Sequence, residues 1–477
     1  MRPFVFLPLA LTISAQEIPT TLRDQQSLAV TIYNTNLALV KDQRSVKLPK
    51  GLCQLAFQEV SAQIRPETAI LKNLTAPKGF WIAEQNFDFD LLTPYKLLEK
   101  YVGEKVVVIG SKPRTDGEGQ IETKEEATVL ATNSGAVLQF ADRIETSIPG
   151  RIVYPSVPAN LRARPTLVMS LNSGEDSVQK LELNYLTDGL SWRADYAANL
   201  SADEKTMDIS GWVTLTNQSG ATYPNAELQL VAGNVNTVTK AVATEMAMQR
   251  MAMPMAAGAA APQMSQESLF DYHLYTLDRP TTIKENQTKQ VALLSASGIP
   301  VRKEYVMRGY SHYYSGSYGD IGDKIDIGVF IGFDNKESSS LGKPLPKGIV
   351  RVYKKDSRGG SQFIGEDSID HTPKNEEARL KLGNAFDVTA KRKQTDFKKI
   401  DGASRYNYVY ESAYEIEIKN ARNEAVTVTV MEPMPGDWEI LEKSHNFTKD
   451  ASGTAKFLVN VPKEGSAVLK YRARVKW

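Results

Sequence analysis

Apolar and polar residues alternate with a period of two through most of the chain, the rhythm of a strand that has one buried and one solvated face. Tyr414, Ile416 and Ile418 point one way and Glu415, Glu417 and Lys419 the other; beyond Asn420–Glu424, Val426, Val428 and Val430 alternate with Thr427 and Thr429. An earlier stretch repeats the scheme. Ile209, Gly211, Val213 and Leu215 oppose Trp212, Thr214 and Thr216, and the run Ala226–Val231 follows Asn217–Gly220. With turn-forming residues at each midpoint, the two stretches read as hairpins and predict antiparallel sandwich sheets.

The fold class expected is therefore mainly β and multidomain, with antiparallel β-sandwich modules, a small barrel-like insertion and few short helices. Residues 1–15 read as a signal peptide: Arg2 precedes an apolar run from Phe4 to Ile13, then Ser14 and Ala15, where cleavage is expected. The alternative for that run is a buried first strand. Residues 16–92 form an N-terminal β module with strands at Leu28–Tyr33, Leu37–Val46 and Leu52–Val60. Residues 93–150 combine a short helix with the barrel-like insertion. Thr93 is placed as N-cap, Pro94 at the first helical position and Gly103 past the end, which bounds a helix over Pro94–Val102. Strands are expected at Val106–Ile109, Ala127–Thr132 and Ala136–Phe140. Residues 151–238 begin a larger β domain, 239–268 are a Met- and Ala-rich flexible insertion, and 269–400 continue the domain with long loops at Gly309–Asp323 and Asn335–Gly348. Residues 401–477 make C-terminal sandwich hairpins. The last strand has Leu469, Tyr471, Ala473, Val475 and Trp477 on one face; it reads as the closing strand of a sandwich, since the regular series of strands that a membrane barrel needs is missing.

Composition narrows the function. Basic and acidic residues number 57 and 56, so no long-range field draws in a polyanion, and nucleic acid is not expected as a partner. Cys53 is the only cysteine, which excludes an intrachain disulfide and a Cys/His zinc cluster, and it lies too far from the leader to carry a lipid. Beyond the leader no apolar run is long enough to span a bilayer as a helix.

Several strings together resemble a known bacterial group. Thr187-Asp-Gly-Leu-Ser-Trp192-Arg-Ala-Asp-Tyr196, Trp212 to Asn217, Asn225 to Leu230, Leu269 to Pro280 and Leu341 to Gly348 are similar to the mucoidy-inhibitor-A-like proteins, a domain-of-unknown-function family. The resemblance spans roughly Leu28 to Trp477. It implies an exported protein whose C-terminal part is a β-structured domain of unknown function, with no catalytic residues to carry over. The group's name suggests exopolysaccharide or the cell envelope. The long coiled-coil insertion that some members carry is missing here, so no role of that insertion transfers.

Local motifs for catalysis are absent: the sequence holds no Gly-x-Ser-x-Gly, no His-Glu-x-x-His and no phosphate-binding Gly-x-x-x-x-Gly-Lys. The four histidines, His273, His312, His371 and His445, leave open only a triad assembled from distant positions. Carboxylate pairs such as Asp88 with Asp90 or Glu366 with Asp367 are weighed for glycoside hydrolysis against ordinary surface acids. Met246, Met248, Met251, Met253 and Met255 offer thioethers suited to Cu(I), although no His or Cys joins them and a low-complexity loop has the same composition. Tyr310, Tyr313, Tyr314 and Tyr318, interspersed with glycines, form an aromatic segment able to stack on sugar rings or pack on a partner; the alternative folds them back onto the sheet. Lys391, Arg392, Lys393, Lys398 and Lys399 form a basic run, read as a solvated face or as a contact for anionic lipid or polysaccharide. No catalytic, cofactor or metal residue is assigned. The function expected is a non-enzymatic envelope protein, periplasmic or on the cell surface, binding another protein or a polysaccharide. The alternatives are an all-β carbohydrate-active hydrolase and copper handling by the Met loop.

Overall fold

The structure, a computed structural model, describes residues 17–113, 120–158, 161–233, 235–236, 264–400, 406–450 and 453–477. The leader at 1–15 and the five methionines from Met246 to Met255 lie outside the described residues. Strands dominate, as the alternation requires, and among the described residues Pro94–Lys100 is the single α-helix. Thr93 caps it, its hydroxyl accepting from Lys96 N at 3.1 Å. Met264–Leu269, assigned mostly to the flexible insertion from composition, is a strand.

The described residues fall into two compact units, one drawn from Met1–Trp192, Leu215–Val231 and Leu274–Lys289, the other from Arg193–Thr214, Ala232–His273 and Gln290–Trp477. Each gathers distant stretches of sequence, so the consecutive segments read from composition do not coincide with them. Pairing explains this. Gln25–Tyr33 lies parallel to Tyr223–Ala232, with Ala29 opposite Glu227, a partnership that no local pattern encodes.

In the first unit Glu17–Thr20, Gly51–Gln58, Thr166–Ser173 and Trp81–Asp88 form one sheet, and Tyr223–Ala232, Gln25–Tyr33, Leu37–Leu48, Ser177–Thr187 and Ile70–Asn73 lie side by side in another. Buried Arg44 joins them: its guanidinium lies 3.8 Å from the centre of the Phe57 ring, pairs with Asp42 at 2.8 Å and donates to the Thr20 carbonyl at 2.9 Å. The expected barrel-like insertion is an open five-stranded sheet, in the order Ile144–Glu145, Val137–Gln139, Gln120–Ala131, Lys105–Pro113 and Arg151–Val153. Its core of Val106, Val108, Val129 and Leu138 takes Leu98 of the helix. With so few long strands, one apolar face is covered by the helix and closure is not needed.

The second unit ends in a two-layered sandwich. Glu377–Lys399, Val409–Asn420, Gly465–Lys476 and Asp437–Lys443 follow one another in one layer. Val426–Pro433 pairs with Thr454–Val461 in the other, where it also runs parallel to the end of Gln287–Arg308. Here the predicted hairpin is corrected. Val409–Asn420 and Val426–Pro433 are not ladder neighbours; they pack face to face, with Tyr414, Ile416, Ile418, Val426, Val428 and Val430 in one core. Likewise Thr206–Asn217 and Tyr223–Ala232 enter different sheets. In both cases the buried faces are as read; the connection after Asn420 crosses between layers, and the one after Asn217 leads into a different sheet, instead of either turning within one ladder.

The same device closes both connections. The side-chain amide of Asn217 donates to the Ala221 carbonyl at 2.8 Å, and its oxygen accepts from Ser219 N at 3.0 Å. Asn420 donates to Glu424 O at 2.8 Å and accepts from Arg422 N at 3.0 Å. Both asparagines are buried; around Asn217 the bonded turn backbone is buried too, whereas around Asn420 Arg422 is half-buried and Glu424 exposed.

Candidate functional site

The aromatic segment singled out in the sequence sits at the C-terminal sandwich, and what lies beneath it was not read there. Phase decides the arrangement. Val388, Ala390, Arg392 and Gln394 share the inward face of one strand, as do Val426, Val428, Val430 and Glu432 of another. Arg392 and Glu432 therefore meet in the core with no solvent exposure of either side chain. Their contact is bidentate, Nη1 to Oε1 at 3.0 Å and Nη2 to Oε2 at 2.6 Å. This corrects the basic run: Arg392 belongs to the core and not to a solvated face. The period of two already carried that information.

Tyr314 and Tyr471 complete the buried group. The Tyr314 hydroxyl donates to Glu432 Oε2 at 2.8 Å and lies 2.8 Å from the Tyr471 hydroxyl, which accepts from Arg392 Nη2 at 2.9 Å. Burial and the neighbouring Glu432 carboxylate hold the Tyr314 hydroxyl's pKa well above its ordinary value; burial does the same for Tyr471, against the opposing pull of Arg392. For Arg392, burial works against the charged form, but the carboxylate and the two phenols outweigh it and keep the guanidinium protonated. Its Nε is left without a partner among the described residues.

Two tyrosine rings lie against the guanidinium, Tyr313 at 4.6 Å and Tyr414 at 4.7 Å from their centres. The chain must then pass close over the pair. Gly309 permits this, because a Cβ there would stand 2.4 Å from Glu432 Oε2 and 2.7 Å from Arg392 Nη1. Gln394 fastens the rest of the loop: its amide donates to Gly316 O at 2.9 Å and its oxygen accepts from Tyr318 N at 2.7 Å, while the Tyr414 hydroxyl donates to Tyr313 O at 2.6 Å.

The four predicted tyrosines thus separate. Tyr314 is fully buried and cannot present its ring to a ligand, whereas Tyr310 and Tyr318 are 58% and 44% exposed. Tyr313 lies between, half-buried, and His312, which was not in the set, joins the exposed rings. It stacks on Tyr310 at 5.6 Å and meets Tyr313 at 4.6 Å and Tyr318 at 5.9 Å. The result is a shelf of four rings on a loop fixed from below.

Other candidates are dispersed. Asp88 pairs with Arg162, Asp90 with Lys96 and Lys100, and Glu366 with Arg351, while Asp367 accepts from Lys381 N at 2.7 Å. His273 meets Gln266, His371 accepts from Lys347 N, and His445 lies 2.8 Å from the neighbouring Ser444 hydroxyl. Each of the predicted acids is thus engaged by a partner within the protein. Among them, no helix is long and apolar enough to cross a membrane.

No curated protein matches the chain. The model of a family described as a domain of unknown function, DUF4139, matches residues 181–477, a span that holds the sandwich, the buried pair and the aromatic shelf. That match takes in more than half of the sequence, and the chain belongs to the DUF4139 family.

Proposed function

We propose that the protein is an exported, non-enzymatic binding protein of the cell envelope and that Tyr310, His312, Tyr313 and Tyr318 are its contact surface for polysaccharide. The observation that carries this reading is the union of exposure and rigidity: Tyr310, His312 and Tyr318 are exposed aromatic residues clustered around half-buried Tyr313 on a loop fastened by Gln394 and by the Arg392 layer. Such rings lose little entropy on contact and offer an apolar face with a polar rim, which suits the similarly two-natured face of a pyranose. The internal pairing of the candidate carboxylates gives the hydrolase alternative no comparable support.

The experiment is retention on a panel of immobilised envelope polysaccharides, comparing the unmodified chain with Tyr310→Ala/Tyr318→Ala. Both rings are exposed, so the substitutions leave the core intact. Loss of retention is expected; equal retention of the two proteins removes the sugar reading. Export rests on Arg2 and the run Phe4–Ile13. It predicts a mature N-terminus near Ala15 in an extracytoplasmic fraction, and a chain found only inside the cell with Met1 attached overturns it.

A further inference from the structure

A pocket of about 180 Å³ opens elsewhere in the second unit, walled by Leu200, Val329, Ile331, Ile364 and Leu382, with Glu204 and Lys303 at its edge. The walls are aliphatic and several are only half-buried, so apolar surface lines an opening that water reaches. Two bulges shape it. Gly383, at φ 147, sits where the ladder between Asp320–Asp334 and Glu377–Lys399 slips at Val329/Phe330. Gly365 lets a second strand close in, since a Cβ there would stand 2.4 Å from the Leu382 carbonyl. Bulges of this kind re-aim side chains beside binding sites.

The polar edge is built rather than incidental. Glu204 holds a left-handed backbone, φ 59, which costs a non-glycine residue energy. Its carboxylate bridges Lys303 and Lys354, each at 2.6 Å, from two strands that are not neighbours. Two ammonium groups against one carboxylate leave one positive charge in excess. Each ammonium has three donors, and one of them goes to Glu204. Glu204 is held below the ordinary carboxylate range: burial opposes ionisation, and the two lysines overcome it.

We propose that this pocket binds a short aliphatic carboxylate, its chain against Leu200, Val329, Ile331, Ile364 and Leu382 and its anionic end on Lys303, while Lys354 takes up the Glu204 charge and leaves Lys303 free to attract the anion. Aliphatic walls without an aromatic ring favour an alkyl chain over a sugar or a nucleobase, and the surplus positive charge selects an anion over an amine. The site is independent of the aromatic shelf.

Isothermal titration of the full chain with octanoate, octanol and octylamine tests it. Octanoate is expected to bind saturably and at least tenfold more tightly than octylamine, with octanol between. In Lys303→Gln/Lys354→Gln the preference for octanoate should vanish while the thermal transition persists. Equal binding of octanoate and octylamine, or no binding of octanoate, overturns the proposal using the unmodified chain alone. A preference unchanged in the double variant overturns the assignment of the two lysines.

Discussion

Arg392 and Glu432 face each other across the two layers of the C-terminal sandwich, joined by two hydrogen bonds of 3.0 and 2.6 Å, with neither side chain reaching solvent. Desolvating two charges costs several kcal/mol each, so the pair need not make the fold more stable than well-packed apolar residues would. What it does is join strands from opposite layers and support the loop above.

Removing one partner should therefore be worse than removing both. Arg392→Met or Glu432→Leu alone is expected to cost about 3–5 kcal/mol, because the remaining group stays buried without its counterpart. Arg392→Met combined with Glu432→Leu should recover most of that loss. Denaturant unfolding of the three variants checks it, and a double variant as unstable as the sum of the singles contradicts the account.

Two glycines in the loop should respond differently to the same substitution. Gly309→Ala drives a methyl to 2.4 Å from Glu432 Oε2, whereas at Gly316 the nearest atom to a new Cβ is Tyr318 Cε2 at 3.4 Å, an ordinary contact. Crowding at a packed site costs about 1–3 kcal/mol, so Gly309→Ala should lower the unfolding midpoint clearly and Gly316→Ala hardly at all. Similar midpoints for both variants count against the close passage over the ion pair.

The connections after Asn217 and Asn420 make a third prediction. Asn217→Ala leaves buried turn backbone unsatisfied, an expected cost of about 1–3 kcal/mol, and Asn420→Ala, where water can reach the exposed turn, should cost less. Asn→Asp at either position should also destabilise, since it removes the donor that serves Ala221 O or Glu424 O. Thermal unfolding distinguishes these variants from substitutions at exposed asparagines, which should be neutral.

Alkaline pH should unfold the protein through its buried phenols. Burial pushes Tyr223 and Tyr414 up to about 12 from an ordinary 10.0 and holds Tyr185, Tyr314 and Tyr471 well above it. Between those values the folded state binds more protons than the unfolded state, so stability falls as pH rises. The stabilisation is complete below pH 10 and is lost as the pH climbs through about 12. Phenolate absorbance should accordingly rise in two steps, exposed tyrosines first and buried ones together with loss of circular dichroism. A single step with structure intact excludes this.

The period-two alternation fixed which residues are buried. Tyr414, Ile416 and Ile418, the inward set of the last strand from Leu469 to Val475, and the Thr93-capped helix all stand as read. It even carried the inward phase of Arg392 and Glu432, which the charge of the basic run concealed. Pairing is another matter. A strand's period says which face is apolar and nothing about its neighbour, so a tight hairpin and a layer crossing look alike on either side of Asn420. Tertiary packing alone decided that Val426–Pro433 lies across the core from Val409–Asn420, that Tyr314 turns inward while Tyr310 and Tyr318 stay in water, and that Glu204 meets Lys303 and Lys354. Each of these depends on contacts between residues far apart in the chain, where local propensity has no purchase.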